Sequence, residues 1–185
     1  MNLEQFIING KVNLTFWEKL THYSILFIST GLSAMGVGYM IFSKDSASFE
    51  RALYLFCFCF TITVVFYFIQ KRRLRFIIIE TSLDEKQLAE VINYVSKRQN
   101  WKQISRSKNH YIAICNDTFL FGNYWGERIT ILYDDDKIFF NSICDPNKRS
   151  SVTAWNRNWY HAKIFKSAVI LLEEHTLKIA QKKAS

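Results

Sequence analysis

The chain has 185 residues, a formal net charge of +8 and 16% aromatic side chains, with sixteen Phe against a single Pro. That composition excludes a disordered chain, which is poor in aromatics, and the collagen-like and coiled-coil classes. A mean hydropathy of −0.03 conceals two unlike parts. Residues 1–70 hold four basic and four acidic side chains, whereas residues 71–185 hold twenty and twelve, so the whole basic excess lies in the second part.

At the N-terminus, Leu3, Phe6, Ile7 and Ile8 suit a short segment lying on a membrane surface, broken by Asn9-Gly10. Residues 1–15 are expected to form such an interfacial segment. Thr15-Phe16-Trp17-Glu18 reads as a capping box, so a helix should start near Phe16 and run on into the first apolar stretch. Trp17 and Tyr23 would then sit at the membrane interface.

Tyr23 to Phe42 is twenty residues without a charge, and Ala52 to Gln70 is nineteen more. At about 1.5 Å per residue each run spans a hydrocarbon core of about 30 Å. A domain of this size offers too little surface to bury two helices that are apolar all round. Residues 16–70 are therefore read as two membrane-spanning helices. The short link Ser43 to Arg51 makes them antiparallel neighbours. Lys71, Arg72, Arg73 and Arg75 follow the second run directly, and the link offers only Lys44 and Arg51. Basic residues stay on the cytoplasmic side, which places the C-terminal part and the N-terminus there. The same four cations face the acidic lipids of that leaflet. The long, charge-neutral stretch before the first run does not have the form of a cleaved signal peptide.

In the first run Thr30, Ala34 and Gly38 form a small-residue stripe at four-residue spacing. It is expected to pack on the second helix of the same chain, or alternatively on a second copy. Neither run holds an Asp, Glu, Lys, Arg or His, which argues against an ion or proton pathway.

Residues 71–185 are read as one cytoplasmic domain. Arg75 to Thr81 has the β-branched run of a buried strand. Ser82 with Glu85 suggests a second capping box and a helix from Leu83 to about Gln99, with Leu88, Val91, Ile92 and Val95 on one face. Strands are expected at Trp101–Ser105, Tyr111–Cys115 and, briefly, Thr118–Phe121. Arg128–Tyr133 and Lys137–Ile143 flank Asp134-Asp135-Asp136 as a hairpin. A helix from about Asn158 to Ala180 closes the order β-α-β-β-(β)-β-α. The expected fold is α+β, an antiparallel or mixed sheet with both helices on one face.

Candidate chemistry is sparse. Cys57, Cys59, Cys115 and Cys144 form no C-x-x-C pair and read as packing residues. His22, His110, His161 and His175 are scattered and read as surface histidines. The three adjacent aspartates read as a solvated turn rather than a cation site. No motif sets a nucleophile against a base, so neither an enzyme nor a cofactor or metal is expected.

The most distinctive stretch is Asn141 to Tyr160, NSICDPNKRSSVTAWNRNWY. The strand end NSICDP, the polar turn with Ser and Asn, and the following helix resemble a group of small bacterial membrane proteins. The resemblance covers about twenty residues closely and the layout of two helices plus a small domain more loosely. It implies an inner, or plasma, membrane location and carries no activity with it. Physically, Lys148 and Arg149 supply charge, and Ser150, Ser151 and Thr153 supply hydroxyl donors. Trp155 and Trp159 offer faces for a base, and Arg157 adds a further cation. The competing reading is a turn capped by Asp145, with the aromatics packed under the sheet.

The sequence thus leads to a two-pass membrane protein presenting a non-catalytic interaction or regulatory domain. Its expected partners are membrane lipid, a second copy through the stripe, and a protein partner. The alternative is a sensor whose domain binds a nucleotide or another phosphate-bearing anion through Lys148, Arg149, Ser150, Ser151, Trp155 and Arg157.

Overall fold

The computed structural model describes residues 7–8, 10–115, 126–134, 136–148 and 157–184. The chain divides into two units, one of residues 14–72 and one of residues 1–13 with 73–185.

The first unit is helical. Thr15 caps α1 (Phe16–His22) with the expected box: its hydroxyl accepts from the Glu18 N–H, and the Glu18 carboxylate accepts from the Thr15 N–H at 2.8 Å. The helix does not run on. It ends at Tyr23, and α2 (Ser24–Phe42) begins as a separate element. A three-residue connection leads to α3 (Ser46–Arg73). With 19 and 28 residues, both are long and apolar enough to cross a membrane.

The seam between α2 and α3 differs from the expected one. Ser29, Ser33 and Gly36 are buried on α2, and Ala52 and Cys59 on α3. The Thr63 hydroxyl donates across the seam to Ser29 Oγ at 2.9 Å. A Cβ at Gly36 would lie 3.1 Å from the Phe56 backbone, so any larger side chain would force the two helices to give at this point. Thr30 and Ala34 are exposed, and nothing lies within 4 Å of a Cβ built at Gly38. The stripe 30/34/38 is therefore not the contact between these two helices. The physical reason lies in the contacts across the seam: Thr63 supplies a partner for Ser29, and Gly36 lets the two helices approach at Phe56.

In the second unit, Ile7 and Ile8 are strand residues. They form β1 (Ile7–Ile8), antiparallel to β2 (Lys11–Val12), with Gly10 at φ +68° in the turn between them. Asn-Gly between short apolar runs is a hairpin signal. Strand β2 also runs along the segment before β3: the Val12 N–H donates to Leu74 O at 2.9 Å, and the Phe76 N–H to Gly10 O at 3.2 Å.

The sheet contains β3 (Ile77–Glu80), β4 (Trp101–Ser107), β5 (His110–Cys115), β6 (Glu127–Asp134) and β7 (Lys137–Cys144). Its order is β3-β7-β6-β5-β4, and every pairing is antiparallel, which settles the choice between antiparallel and mixed. The short strand expected at Thr118–Phe121 lies outside the described residues. Helix α4 (Glu85–Arg98) is capped by Asp84 and Gln87 rather than by Ser82 and Glu85. Asp is as good a cap as Ser, and Ser82 is engaged elsewhere, its N–H donating to Glu173 Oε1 at 2.8 Å. Glu173 belongs to α5 (Arg157–Ala184), so this contact ties α5 to the segment that leads into α4.

Both helices cover one face of the sheet. Leu88, Val91, Ile92 and Val95 of α4, with Phe165 and Val169 of α5, pack on Tyr111, Ala113, Ile129, Ile131, Ile138 and Phe140. The Phe140 and Phe165 rings stack with centroids 5.4 Å apart. Alternation along the strands sends Ile112, Thr130, Leu132, Phe139, Asn141 and Ile143 to the opposite face.

His110 lies on that opposite face and is buried, contrary to its reading as a surface residue. Its two ring nitrogens meet the hydroxyls of Ser105 and Ser107. Burial lowers its pKa below the ordinary histidine value. The neutral ring is therefore favoured on folding. Its stabilisation is present above the unfolded pKa of about 6.5 and is lost as pH falls through that value towards the folded one. Melting curves of the full chain in detergent should show a steeper acid loss for the natural protein than for His110→Gln. Parallel curves would remove His110 as a cause.

Candidate functional site

The functional candidates converge where β6 begins, β7 ends and α5 begins. Glu127 is the first residue of β6, and its partners in register are Cys115 on β5 and Cys144 on β7. The alternation that turns Ile129 and Ile131 to the helices turns Glu127 there as well. His161 lies in the second turn of α5, one turn before Phe165. Its Nε2 sits 2.8 Å from Glu127 Oε2, with the two side chains 1% and 2% exposed. The Ser142 hydroxyl donates to the same carboxylate oxygen at 3.3 Å. The Trp101 ring meets the imidazole edge-on at 5.9 Å.

A carboxylate withdrawn this far from water requires partners, and the fold sets the His161 ring and the Ser142 hydroxyl against Glu127 Oε2. The pair sets an imidazole nitrogen against a carboxylate oxygen out of contact with water. It is not a nucleophilic relay, because Ser142 donates to the carboxylate and not to the imidazole. Cys115 is equally enclosed, its thiol donating to the Gln99 carbonyl at 3.5 Å.

The NSICDP stretch now has a physical account. The Asn141 amide donates twice, to Arg73 O and Arg75 O at 2.9 Å each, and so fastens the chain leaving α3 to the middle of β7. Ser142 faces the Glu127 pair and Ile143 is buried. The Asp145 N–H donates to Gly126 O at 3.0 Å. Its carboxylate accepts from the Asn147 N–H at 3.0 Å, and its carbonyl from the Lys148 N–H at 3.0 Å. Asp145 thus builds an Asx turn, as the capped-turn reading expects.

Of the expected ligand-binding residues, Lys148 is exposed at the end of this turn and Arg157 opens α5. Arg149, Ser150, Ser151 and Trp155 lie outside the described residues. Trp159 is 63% exposed, so it is not packed under the sheet, and Lys163 lies over its ring at 5.1 Å. Among the cations expected at the membrane surface, Arg72 and Arg75 are exposed, while Lys71 lies over the Tyr67 ring at 5.4 Å. His22 and His161 are both buried rather than on the surface; His175 is exposed. Cys57 is exposed rather than packed.

Glu127 and His161 escape the sequence reading, although a signal existed for both. Glu127 falls on the inward period of its strand. His161 falls on the stripe of Phe165, Ala168 and Leu172.

A second feature lies on the outer side of α4 and α5. Tyr94, Arg98, Trp159, Tyr160, Lys163 and Leu171 line a cleft between the two helices. Tyr94, Trp159, Tyr160 and Leu171 are between 52% and 66% exposed, which makes a contiguous apolar patch on a polar domain. No protein-family model, curated protein or solved structure matches the chain.

Proposed function

We propose that the chain is a two-pass membrane protein that holds its α+β domain at the cytoplasmic face, where the domain works as a non-catalytic interaction module. The observation that carries this reading is the aromatic cleft between α4 and α5. Exposed Trp and Tyr beside Arg and Lys form the composition that dominates protein–protein contact energies. A contiguous apolar patch of this kind is uncommon on a surface without a partner. Membrane anchorage is supported by the apolar windows of α2 and α3, only 17% and 11% buried, a surface that water would not tolerate. Orientation is supported by the cations at residues 71, 72, 73 and 75 against two in the link.

The competing sensor would hold a phosphate-bearing anion near Lys148 and Arg157. What favours the interaction module over it is the size and apolar character of the cleft, which suits side chains rather than phosphates.

The test uses a photo-crosslinking residue at Leu171 in intact cells. One discrete adduct is expected, lost on Trp159→Asp and absent when the probe stands at Gln103 on the sheet edge. The same adducts from both positions, or none, would reject the cleft as an interface. Reporters active only outside the inner membrane, fused after Ser46 and Ser185, should be active at Ser46 alone; the reverse would overturn the orientation.

A further inference from the structure

The junction between α1 and α2 is held against the end of α3 by an interlocked set of side chains. His22 Nε2 donates to the Gln70 carbonyl at 3.1 Å, one of the carbonyls that a helix end leaves unpaired. Tyr23 stacks with Tyr67 at 6.5 Å, and Lys71 lies over the same Tyr67 ring. Helix α1 is thereby fixed at the level of residues 70–72, the basic end of α3.

The orientation of α1 follows from this contact. His22 points to α3, and on a helix of 3.6 residues per turn Phe16, Trp17 and Leu20 fall on the opposite side within about 100°. They are 71%, 72% and 39% exposed. Lys19, also exposed, flanks that face. A seven-residue helix with two aromatics facing outward, followed directly by a helix able to cross a membrane, suits the region where lipid headgroups meet acyl chains.

We propose that α1 and the end of α3 form a binding surface for acidic phospholipid. Phe16, Trp17 and Leu20 enter the headgroup–acyl boundary, and Lys19, Lys71 and Arg72 hold anionic headgroups beside them. The inference rests on the membrane reading above and adds a depth, a set of residues and a lipid class. Each cation near the surface favours acidic over neutral lipid by about fivefold, the equivalent of roughly 1 kcal/mol.

The test reconstitutes the full chain in phosphatidylcholine vesicles containing acyl-brominated phosphatidylglycerol or, at equal mole fraction, acyl-brominated phosphatidylcholine. Bromine quenches tryptophan only at contact, and the difference between the natural chain and Trp17→Phe isolates the Trp17 signal. Stronger quenching of that signal by the acidic lipid is expected. The preference should disappear in the K19Q/K71Q/R72Q variant, and also in about 1 M salt, where the screening length falls to about 3 Å. Equal quenching by both lipids would overturn the lipid preference. No Trp17 quenching in a chain that resists alkaline extraction would overturn the interfacial position while leaving the membrane reading intact. A chain released by alkaline extraction would remove both.

Discussion

Gly36→Leu should separate the two long helices, while Gly38→Leu should leave them paired. At Gly36 even a methyl group would stand 3.1 Å from the backbone N, Cα and Cβ of Phe56. Backbone cannot rotate out of the way as the end of a flexible side chain can. The helices must move apart, and the Thr63 to Ser29 hydrogen bond two turns away would stretch with them. Overpacking of this kind costs about 1–3 kcal/mol, and more when the clash is with backbone. At Gly38 a side chain would meet nothing within 4 Å. Its replacement should change stability by no more than about 0.5 kcal/mol. Thermal unfolding of both variants in one mild detergent decides the matter. A larger loss for Gly38→Leu would return the seam to Thr30, Ala34 and Gly38.

The contrast between the two stripes shows where the sequence was legible. Both are small residues at near-helical spacing, and spacing alone does not rank them. The tertiary contacts do: Thr63 reaches Ser29 across the seam, and Phe56 approaches closely at Gly36. The five strands of the sheet and both domain helices followed from periodicity and turn residues, because one buried face imposes a period that survives in the sequence. The cap of α4 was misplaced by two residues because Thr81 and Ser82 are recruited by Glu173, a residue 91 positions beyond Ser82. Local signals do not contain that contact. The break at Tyr23 was hidden for a similar reason. It depends on His22 reaching Gln70, 48 residues away. The Glu127–His161 pair was hidden differently. Both residues obey the inward period, but a charged residue type argued for the surface. Only the partner, fixed by the tertiary fold, makes burial affordable to either.

That pair carries the second large expected effect. Glu127→Ala should destabilise the chain by about 3–5 kcal/mol, because it removes one member of a fully enclosed pair and strands the other. The loss should exceed that of Glu127→Gln, which keeps an acceptor oxygen of similar shape for His161 and Ser142. The double replacement Glu127→Leu with His161→Phe should then recover most of the single-variant loss. Two buried polar groups that cost desolvation are exchanged for apolar ones beside Trp101, Phe140 and Phe165, and such exchanges are often neutral or stabilising. Unfolding of the three variants in the same detergent gives the comparison. If the double variant is no better than Glu127→Ala, the pair acts through a polar network that the apolar side chains cannot replace, and Ser142 and Asp145 at the end of β7 become its first members to test. If the double variant folds as well as the natural chain but no longer gives the Leu171 crosslink, the pair serves the site rather than the fold. In that outcome its task is to position the start of α5, since His161 and the cleft residues Trp159, Tyr160 and Lys163 share its first two turns.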